Sequence, residues 1–290
     1  RATSSFWRRS ATSSAIFSRF ALAASDVRSS VEARTVTCER MVRRPDSGTF
    51  AGARCHLEVV EMLEAFTWYK QSAYRWKGDG LVVYIDPWGL GGDLPPADLV
   101  LVTHYHFDHF SPDGPFMHPD KAFAPKGDGD LAKITAPKTV FVAPRDVADE
   151  LSGNVKPIAP GDRIEVAGVK IEAVPAYNIV EGRLDAHPQR NRWVGYVLEL
   201  GGRTYYHAGD TDHLPDLERI RAEVAFLPIG GTYTMDYREA AVLAKKLAPK
   251  VAVPMHYGFV VGEGNDGERF KREAAPVEVQ LLRPMNAFSL

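Results

Sequence analysis

Apolar residues after position 65 fall into short runs that are separated by Gly, Pro, Asn and Asp. Such punctuated runs are typical of β-strands. Two pairs of runs flank the dipeptides Ala167-Gly168 and Gly201-Gly202, where tight turns predict β-hairpins. The predicted strands cover residues 66–69, 74–76, 81–85, 97–103, 163–166, 169–174, 193–200, 203–207, 224–229 and 250–255.

Three segments show helical spacing instead. Residues 237–247 form an amphipathic pattern, and residues 144–151 and 214–221 are shorter candidates. The strands come first in a meander and later alternate with helices. This order predicts a layered α/β fold with two sheets inside and helices outside.

The first 61 residues differ from the rest. Residues 1–25 are rich in Ser, Ala and Arg and contain no Asp or Glu, which resembles an organellar transit peptide. The alternative is a translation start assigned too far upstream, with Met62 just before the first strand. On either interpretation, residues 1–61 are expected to form an extension outside the fold and residues 62–290 the folded domain. We expect a cytoplasmic location, or an organellar one if the extension is a transit peptide.

Composition and charge narrow the class of protein. The chain has 290 residues, of which 45% are hydrophobic, and a formal net charge of −2. It lacks the cationic excess that usually accompanies nucleic-acid binding, so we expect a small-molecule substrate. No run approaches the roughly 18 apolar residues that a membrane span needs. The two cysteines, Cys38 and Cys55, precede the predicted domain, so a metal site there must use His and carboxylates.

Candidate chemistry is concentrated at the end of the fourth predicted strand. His104, His106, Asp108 and His109 follow the apolar run directly. In an extended strand end, His104 and His106 project to the same side. A turn after them would bring Asp108 and His109 back toward a second metal position nearby. Such a cluster would be costly to bury without a cation. We therefore predict two adjacent metal positions, beside a Gly-, Pro- and Asp-rich flap over residues 113–130.

This H-x-H-x-D-H pattern after an apolar strand resembles the metallo-β-lactamase superfamily. The resemblance extends over residues 62–290 and implies a four-layer αββα sandwich. The motif Tyr206-His207-Ala208-Gly209-Asp210-Thr211 implies that Asp210 bridges both metals. The motif Val253-Pro254-Met255-His256-Tyr257-Gly258 implies that His256 binds the second metal.

The resemblance implies one further His on the first metal, between these motifs. Relatives often carry it after Pro-Ala-Tyr, but here Asn178 follows Tyr177. His187 is the only His between His118 and His207 and is assigned this position. The alternative is a surface His187, with Asn178 or water completing the site.

Four residues have two interpretations each. Asp86 either accepts a hydrogen bond that orients a ligand His or ends a strand in a turn. Thr232 and Tyr233 either touch substrate or belong to a segment in which Thr234 or Asp236 caps the next helix. His207 either supports the site or packs within its strand pair.

Within the superfamily, the pattern most resembles metal-dependent hydrolases related to the bacterial ascorbate-phosphate lactonases. This resemblance implies two zinc ions, with Mn²⁺ or Fe²⁺ as alternatives, whose bound hydroxide attacks an ester, lactone or phosphodiester. Asp108 is expected to orient the nucleophile and return a proton to the leaving group. The alternatives are an iron-dependent oxygenase similar to the sulfur dioxygenases, and a non-catalytic metal-binding protein.

Overall fold

The computed structural model describes residues 58–110 and 129–289. These residues belong to one compact unit over Arg54–Leu290. They form two six-stranded sheets, with strand orders β1-β2-β3-β4-β5-β6 and β12-β11-β10-β9-β8-β7. The first sheet contains β1 (Phe66–Lys70), β2 (Ala73–Gly78), β3 (Leu81–Ile85), β4 (Leu99–Leu101), β5 (Val140–Ala143) and β6 (Asn154–Pro157). The second contains β7 (Arg163–Val166), β8 (Val169–Pro175), β9 (Val194–Leu200), β10 (Arg203–His207), β11 (Val224–Pro228) and β12 (Val251–Met255).

The two sheets have the same plan. Strands β1 to β3 pair antiparallel and β3 to β6 parallel, whereas β7 to β10 pair antiparallel and β10 to β12 parallel. Tight turns join β1 to β2, β2 to β3, β7 to β8 and β9 to β10, whereas residues 176–193 connect β8 to β9. The predicted hairpins are confirmed, and Gly201 and Gly202 (φ 55° and 72°) have the left-handed backbone that such a turn requires.

Helices cover the outer faces of both sheets. Helix α1 spans residues 58–63. It is followed by α2 (Asp130–Ile134), α3 (Arg145–Ala148), α4 (Tyr237–Leu247) and α5 (Asp266–Glu273). Helix α3 contacts β5 and β6, whereas α4 and α5 contact β11 and β12. The four-layer αββα sandwich is therefore confirmed. None of the helices described here has the length and apolar content to cross a bilayer.

Alternate residues of the central strands serve two hydrophobic cores. In β3, Val83 and Ile85 lie in the core between the sheets, whereas Val82 and Tyr84 lie under α2 and α3. A strand that is buried on both faces appears in the sequence as a continuous apolar run, and this explains why the strand at 81–85 could be predicted. Tyr196 of β9 joins the sheets, since its hydroxyl donates to the carbonyl oxygen of Val102 at 2.7 Å.

Several predicted boundaries were wrong. The strand predicted at 97–103 is only Leu99–Leu101, because the Thr103 amide donates to the Asp86 carboxylate instead of continuing the ladder. The segment 214–221 is a 3₁₀ turn over Pro215–Arg219, and the helix predicted at 144–151 is the single turn α3. Residues 113–128 of the predicted flap lie outside the described residues. Its last residue, Asp130, is buried and begins α2.

Candidate metal centre

The predicted ligands converge at the carboxyl ends of four strands. His104, His106, Asp108 and His109 follow β4, and His187 lies in the loop after β8. Asp210 follows β10, and His256 follows β12. All seven side chains are buried, with at most 9% of each residue exposed. The segments that carry them are separated by up to 152 residues of sequence, so the sheet topology assembles the site.

Three histidines form the first group, namely His104, His106 and His187. Their nitrogen atoms lie within 4.8 Å of one another. The Nε2 atom of His104 is 3.2 Å from Nδ1 of His106, and the rings of His106 and His187 are 4.8 Å apart. One cation between these atoms would contact all three rings.

A second group consists of Asp108, His109 and His256, whose candidate ligand atoms also lie within 4.8 Å. Oδ2 of Asp108 is 3.4 Å from Nε2 of His256 and 3.9 Å from Nε2 of His109. The two histidine rings stack with centroids 5.3 Å apart.

Asp210 lies between the two groups. Its Oδ2 atom is 3.3 Å from Nε2 of His187 in the first group and 3.0 Å from Nε2 of His256 in the second. Its Oδ1 atom is 3.4 Å from Nε2 of His109. The preceding Gly209 is required here, because its φ is 63° and a Cβ atom would lie 2.9 Å from the carbonyl oxygen of Val194.

Burial and charge divide the histidines into two classes. Burial lowers the pKa of His104 well below its usual range and that of His106 to about 3, aided by the neighbouring histidines. Burial also opposes the charged form of His109 and His256, but nearby carboxylates, Asp210 first, raise the pKa of His109 well above normal and that of His256 to about 9. His104 and His106 therefore present neutral nitrogens to a cation.

Hydrogen bonds orient three of the rings. Nδ1 of His109 donates to Oδ2 of Asp86 at 2.8 Å, and Nδ1 of His187 lies 2.9 Å from Oδ1 of Asn178. Nδ1 of His104 lies 2.9 Å from Oγ1 of Thr103, which itself donates to Asp86 at 2.7 Å. Each contact engages Nδ1 and leaves Nε2 to face the centre. Asp86 thus has the contact expected of an acceptor that orients a histidine.

Other predicted residues lie beside the site. Nε2 of His207 is 3.0 Å from the Ser72 carbonyl oxygen, and its Nδ1 accepts from the Gly209 amide, so this ring packs within the fold. Thr232 is exposed. Tyr233 contributes its carbonyl oxygen, which accepts from Nδ2 of Asn178 at 2.9 Å.

Capping explains the segment that carries Thr232 and Tyr233. Asp236 caps α4, because its side chain accepts from the backbone amides of Arg238 and Glu239. The Glu239 side chain in turn accepts from the Asp236 backbone amide. Thr234 does not cap the helix, since its hydroxyl donates to the Met235 carbonyl oxygen.

Asn178 does not point its amide oxygen at the centre. That oxygen accepts from the backbone amide of His187 at 3.0 Å and contacts its ring nitrogen. His187 is 1% exposed, which contradicts the alternative that it lies on the surface.

Gln71 and Trp193 also contact the candidate ligands, although sequence reasoning missed them. Nε2 of Gln71 is 3.3 Å from Oδ2 of Asp108 and 3.2 Å from Nε2 of His256. The Trp193 ring lies 5.0 Å from those of both His104 and His106. Gln71 sits in the β1–β2 turn and Trp193 just before β9, so no local pattern distinguishes them from ordinary turn and core residues.

The residues present fit a bound cation. Within the described part of the chain, Nε2 of His109, Nε2 of His187 and Oδ1 of Asp210 are buried and have no hydrogen-bond partner. Leaving such polar atoms unsatisfied is costly unless a ligand engages them. Nitrogen and oxygen donors without Cys are those expected for zinc in a hydrolytic site.

Comparison with known proteins agrees with this architecture. Residues 65–256 match the model of the β-lactamase superfamily domain. A UPF0173 metal-dependent hydrolase of Methanopyrus kandleri is 34% identical over 244 residues, covering 77% of this chain and 98% of the relative. One from Thermoplasma volcanium is 34% identical over 231 residues, covering 75% and 94%.

Solved structures have the same fold. A metal-dependent hydrolase of Parabacteroides distasonis is 29% identical with a TM-score of 0.61, over 76% of this chain and 93% of that one. A metallo hydrolase of Ignicoccus hospitalis, 24% identical with a TM-score of 0.57, covers 76% and 94% and supports the fold alone. By sequence and by fold, this chain belongs to the metallo-β-lactamase superfamily and, within it, to the UPF0173 metal-dependent hydrolases.

Proposed function

We propose that this metal-dependent hydrolase is a dinuclear zinc enzyme that cleaves an ester, lactone or phosphodiester bond of a small molecule. The observation that carries the proposal is the position of Asp210. Its carboxylate lies within 3.4 Å of ring nitrogens from both histidine groups, including two that have no hydrogen-bond partner among the described residues. A bridging carboxylate is suited to two adjacent cations.

The ligand assignment follows the two groups. The first zinc would be held by His104, His106 and His187, and the second by Asp108, His109 and His256. Asp210 would be shared, because it lies near His187 of the first group and near His109 and His256 of the second. Asn178 is better suited to orienting His187 than to binding metal, because its amide oxygen already contacts the His187 amide and ring.

Zinc is preferred because imidazole and carboxylate ligands suit it. Mn²⁺ and Fe²⁺ remain chemically compatible with the same donors. Zinc at such a site lowers the pKa of water from 15.7 toward ~7 and stabilises negative charge on a carbonyl or phosphoryl oxygen.

The side chains around the site would supply proton transfer and hold the ligand rings. Asp108 would orient the attacking water and carry its proton to the leaving group. The carboxylate of Asp108 stays ionised, since burial is outweighed by His109 and His256, which lower its pKa. Asp86 and Thr103 would hold the rings of His109 and His104 in place, through contacts of 2.8 and 2.9 Å.

We also propose the substrate class, the location and the domain bounds. A net charge of −2 favours a small-molecule substrate over nucleic acid. We propose a cytoplasmic enzyme in which residues 62–290 form the hydrolase domain.

Elemental analysis of the purified protein, beside turnover of chromogenic ester, lactone and phosphodiester panels, tests the proposal. We expect about two zinc ions per chain and hydrolysis of one substrate class. His106→Ala should lose zinc and activity, and Asp108→Ala should lose activity. His213→Ala is the matched control, because the His213 ring pairs with Glu218 and not with a candidate ligand. Stoichiometric iron without hydrolysis would favour an oxygenase instead, and no bound metal would contradict the site.

A further inference from the structure

The buried carboxylate of Asp212 contacts several residues of the loop between β8 and His187. Oδ2 of Asp212 accepts from the backbone amides of Ile179 and Val180 at 2.7 and 2.8 Å. Oδ1 accepts from Nδ2 of Asn178 at 3.0 Å. The Asp212 side chain is only 1% exposed, so its charge requires a cationic partner.

Arg183, from the same loop, is that partner. Its Nε atom is 2.6 Å from Oδ1 of Asp212, and its side chain is 9% exposed. Nη2 donates to both carboxylate oxygens of Glu239 at 2.8 and 2.9 Å. Glu239 belongs to the first turn of α4 and closes its capping box. One guanidinium therefore ties the loop to Asp212 and to the start of a helix.

The network continues from Asp212 to His187. Asn178, which Asp212 holds by its amide nitrogen, presents its amide oxygen to both the backbone amide and Nδ1 of His187. The backbone amide of Asn178 also donates to the His187 carbonyl oxygen at 2.8 Å. The path from Arg183 to the ring of His187 thus has only two intermediate side chains, and each contact in it is direct.

We propose that Arg183 is a positioning residue that fixes His187 and thereby sets the metal affinity of the first position alone. The inference rests on the proposed function, in which His187 is a ligand. Among the described residues, the side-chain contacts of Arg183 are with Asp212, Gly231 and Glu239, none of which is a ligand of the second position, so that position should keep its affinity without Arg183. A planar guanidinium can serve Asp212 and Glu239 at once, whereas the single ammonium of a lysine cannot.

The test is zinc binding by the full chain, measured as stoichiometry and as competition with a chromophoric chelator. We expect Arg183→Met to weaken one of two zinc positions by about tenfold or more, since changes behind metal ligands typically cost that much. Arg183→Lys should recover part of the affinity. Arg163→Met is the matched control, because it removes an exposed arginine whose partner, Glu172, lies on the sheet surface.

Two further readouts separate positioning from general destabilisation. Visible absorption of the Co²⁺-substituted protein should change for one position only in Arg183→Met. Glu239→Gln keeps a capping-box residue but removes one charge facing Arg183, so it should weaken the same position to a smaller extent without unfolding the chain.

The outcomes are distinguishable. A wild-type protein that binds no zinc would contradict the proposed function itself. A wild type with two zinc ions whose Arg183→Met and Glu239→Gln variants retain both with unchanged affinity would overturn the positioning role alone. Equal weakening of both positions in Glu239→Gln would also overturn it.

Discussion

At the scale of single residues, the site depends on side chains held in uncommon backbone conformations. Gln71, Asp86 and His256 have φ values of 47°, 48° and 58°. Such left-handed conformations cost about 1–3 kcal/mol each in residues other than glycine and persist only where surrounding contacts fix them. Here the contacts are mutual, because the Gln71 carbonyl oxygen accepts from the His256 amide. The strained turns direct polar side chains toward one point.

Asp86 provides the sharpest test at this scale. Its buried carboxylate accepts from the Thr103 amide and hydroxyl and from Nδ1 of His109. Asp86→Asn keeps the shape but removes the charge, so zinc affinity should fall by about 10- to 100-fold. Chelator competition measures the change. Asp98→Asn is the control, since Asp98 pairs with Lys138 away from the site. Unchanged zinc affinity in Asp86→Asn would contradict its assigned role.

Residue identity predicted the candidate ligands better than their surroundings. Six of them stand in three short motifs at strand ends, where chemistry and local geometry coincide. His187 was assigned through the resemblance and as the only His between His118 and His207, because its position depends on a loop. Gln71, Trp193 and Arg183 make their contacts through turns and tertiary packing, which no spacing in the sequence encodes. Asp212 offered a signal, since it stands two positions after Asp210.

At the scale of elements, prediction succeeded where hydrophobic periodicity was strong. Helix α4 has the predicted bounds, because its apolar side faces the core and Asp236 marks its start. Strand β6 was missed because three of its four residues are exposed, as is typical of a sheet edge. Helix α5 was missed because six of its eight residues are charged and only Phe270 supplies a large buried side chain. The five residues of α2 are too few to show a period.

The cap of α4 gives a prediction for this scale. Asp236→Ala removes the side chain that accepts from two amides in the first turn, so the free energy of unfolding should fall by about 1 kcal/mol. Urea denaturation of the two proteins measures the difference. Thr232→Ala, at an exposed position in the same segment, should change stability by less than about 0.5 kcal/mol. Equal effects of both variants would contradict the capping assignment.

At the scale of the whole molecule, two sheets of the same plan meet at the site. The H-x-H-x-D-H segment follows the first sheet, whereas His187, Asp210 and His256 follow strands of the second. The large core between the sheets therefore fixes the distance between the ligands that follow the first sheet and those that follow the second. The order of strands and helices predicted this layered arrangement, but strand order within each sheet required the structure.

We propose that Asp210 lies between two metal ions. Anomalous diffraction from zinc-loaded crystals, recorded above and below the zinc absorption edge, tests it most directly. We predict two peaks about 3.5–4 Å apart, one beside His104, His106 and His187 and the other beside Asp108, His109 and His256, with Asp210 contacting both. A single peak, or peaks away from Asp210, would show that Asp210 does not bridge two metals.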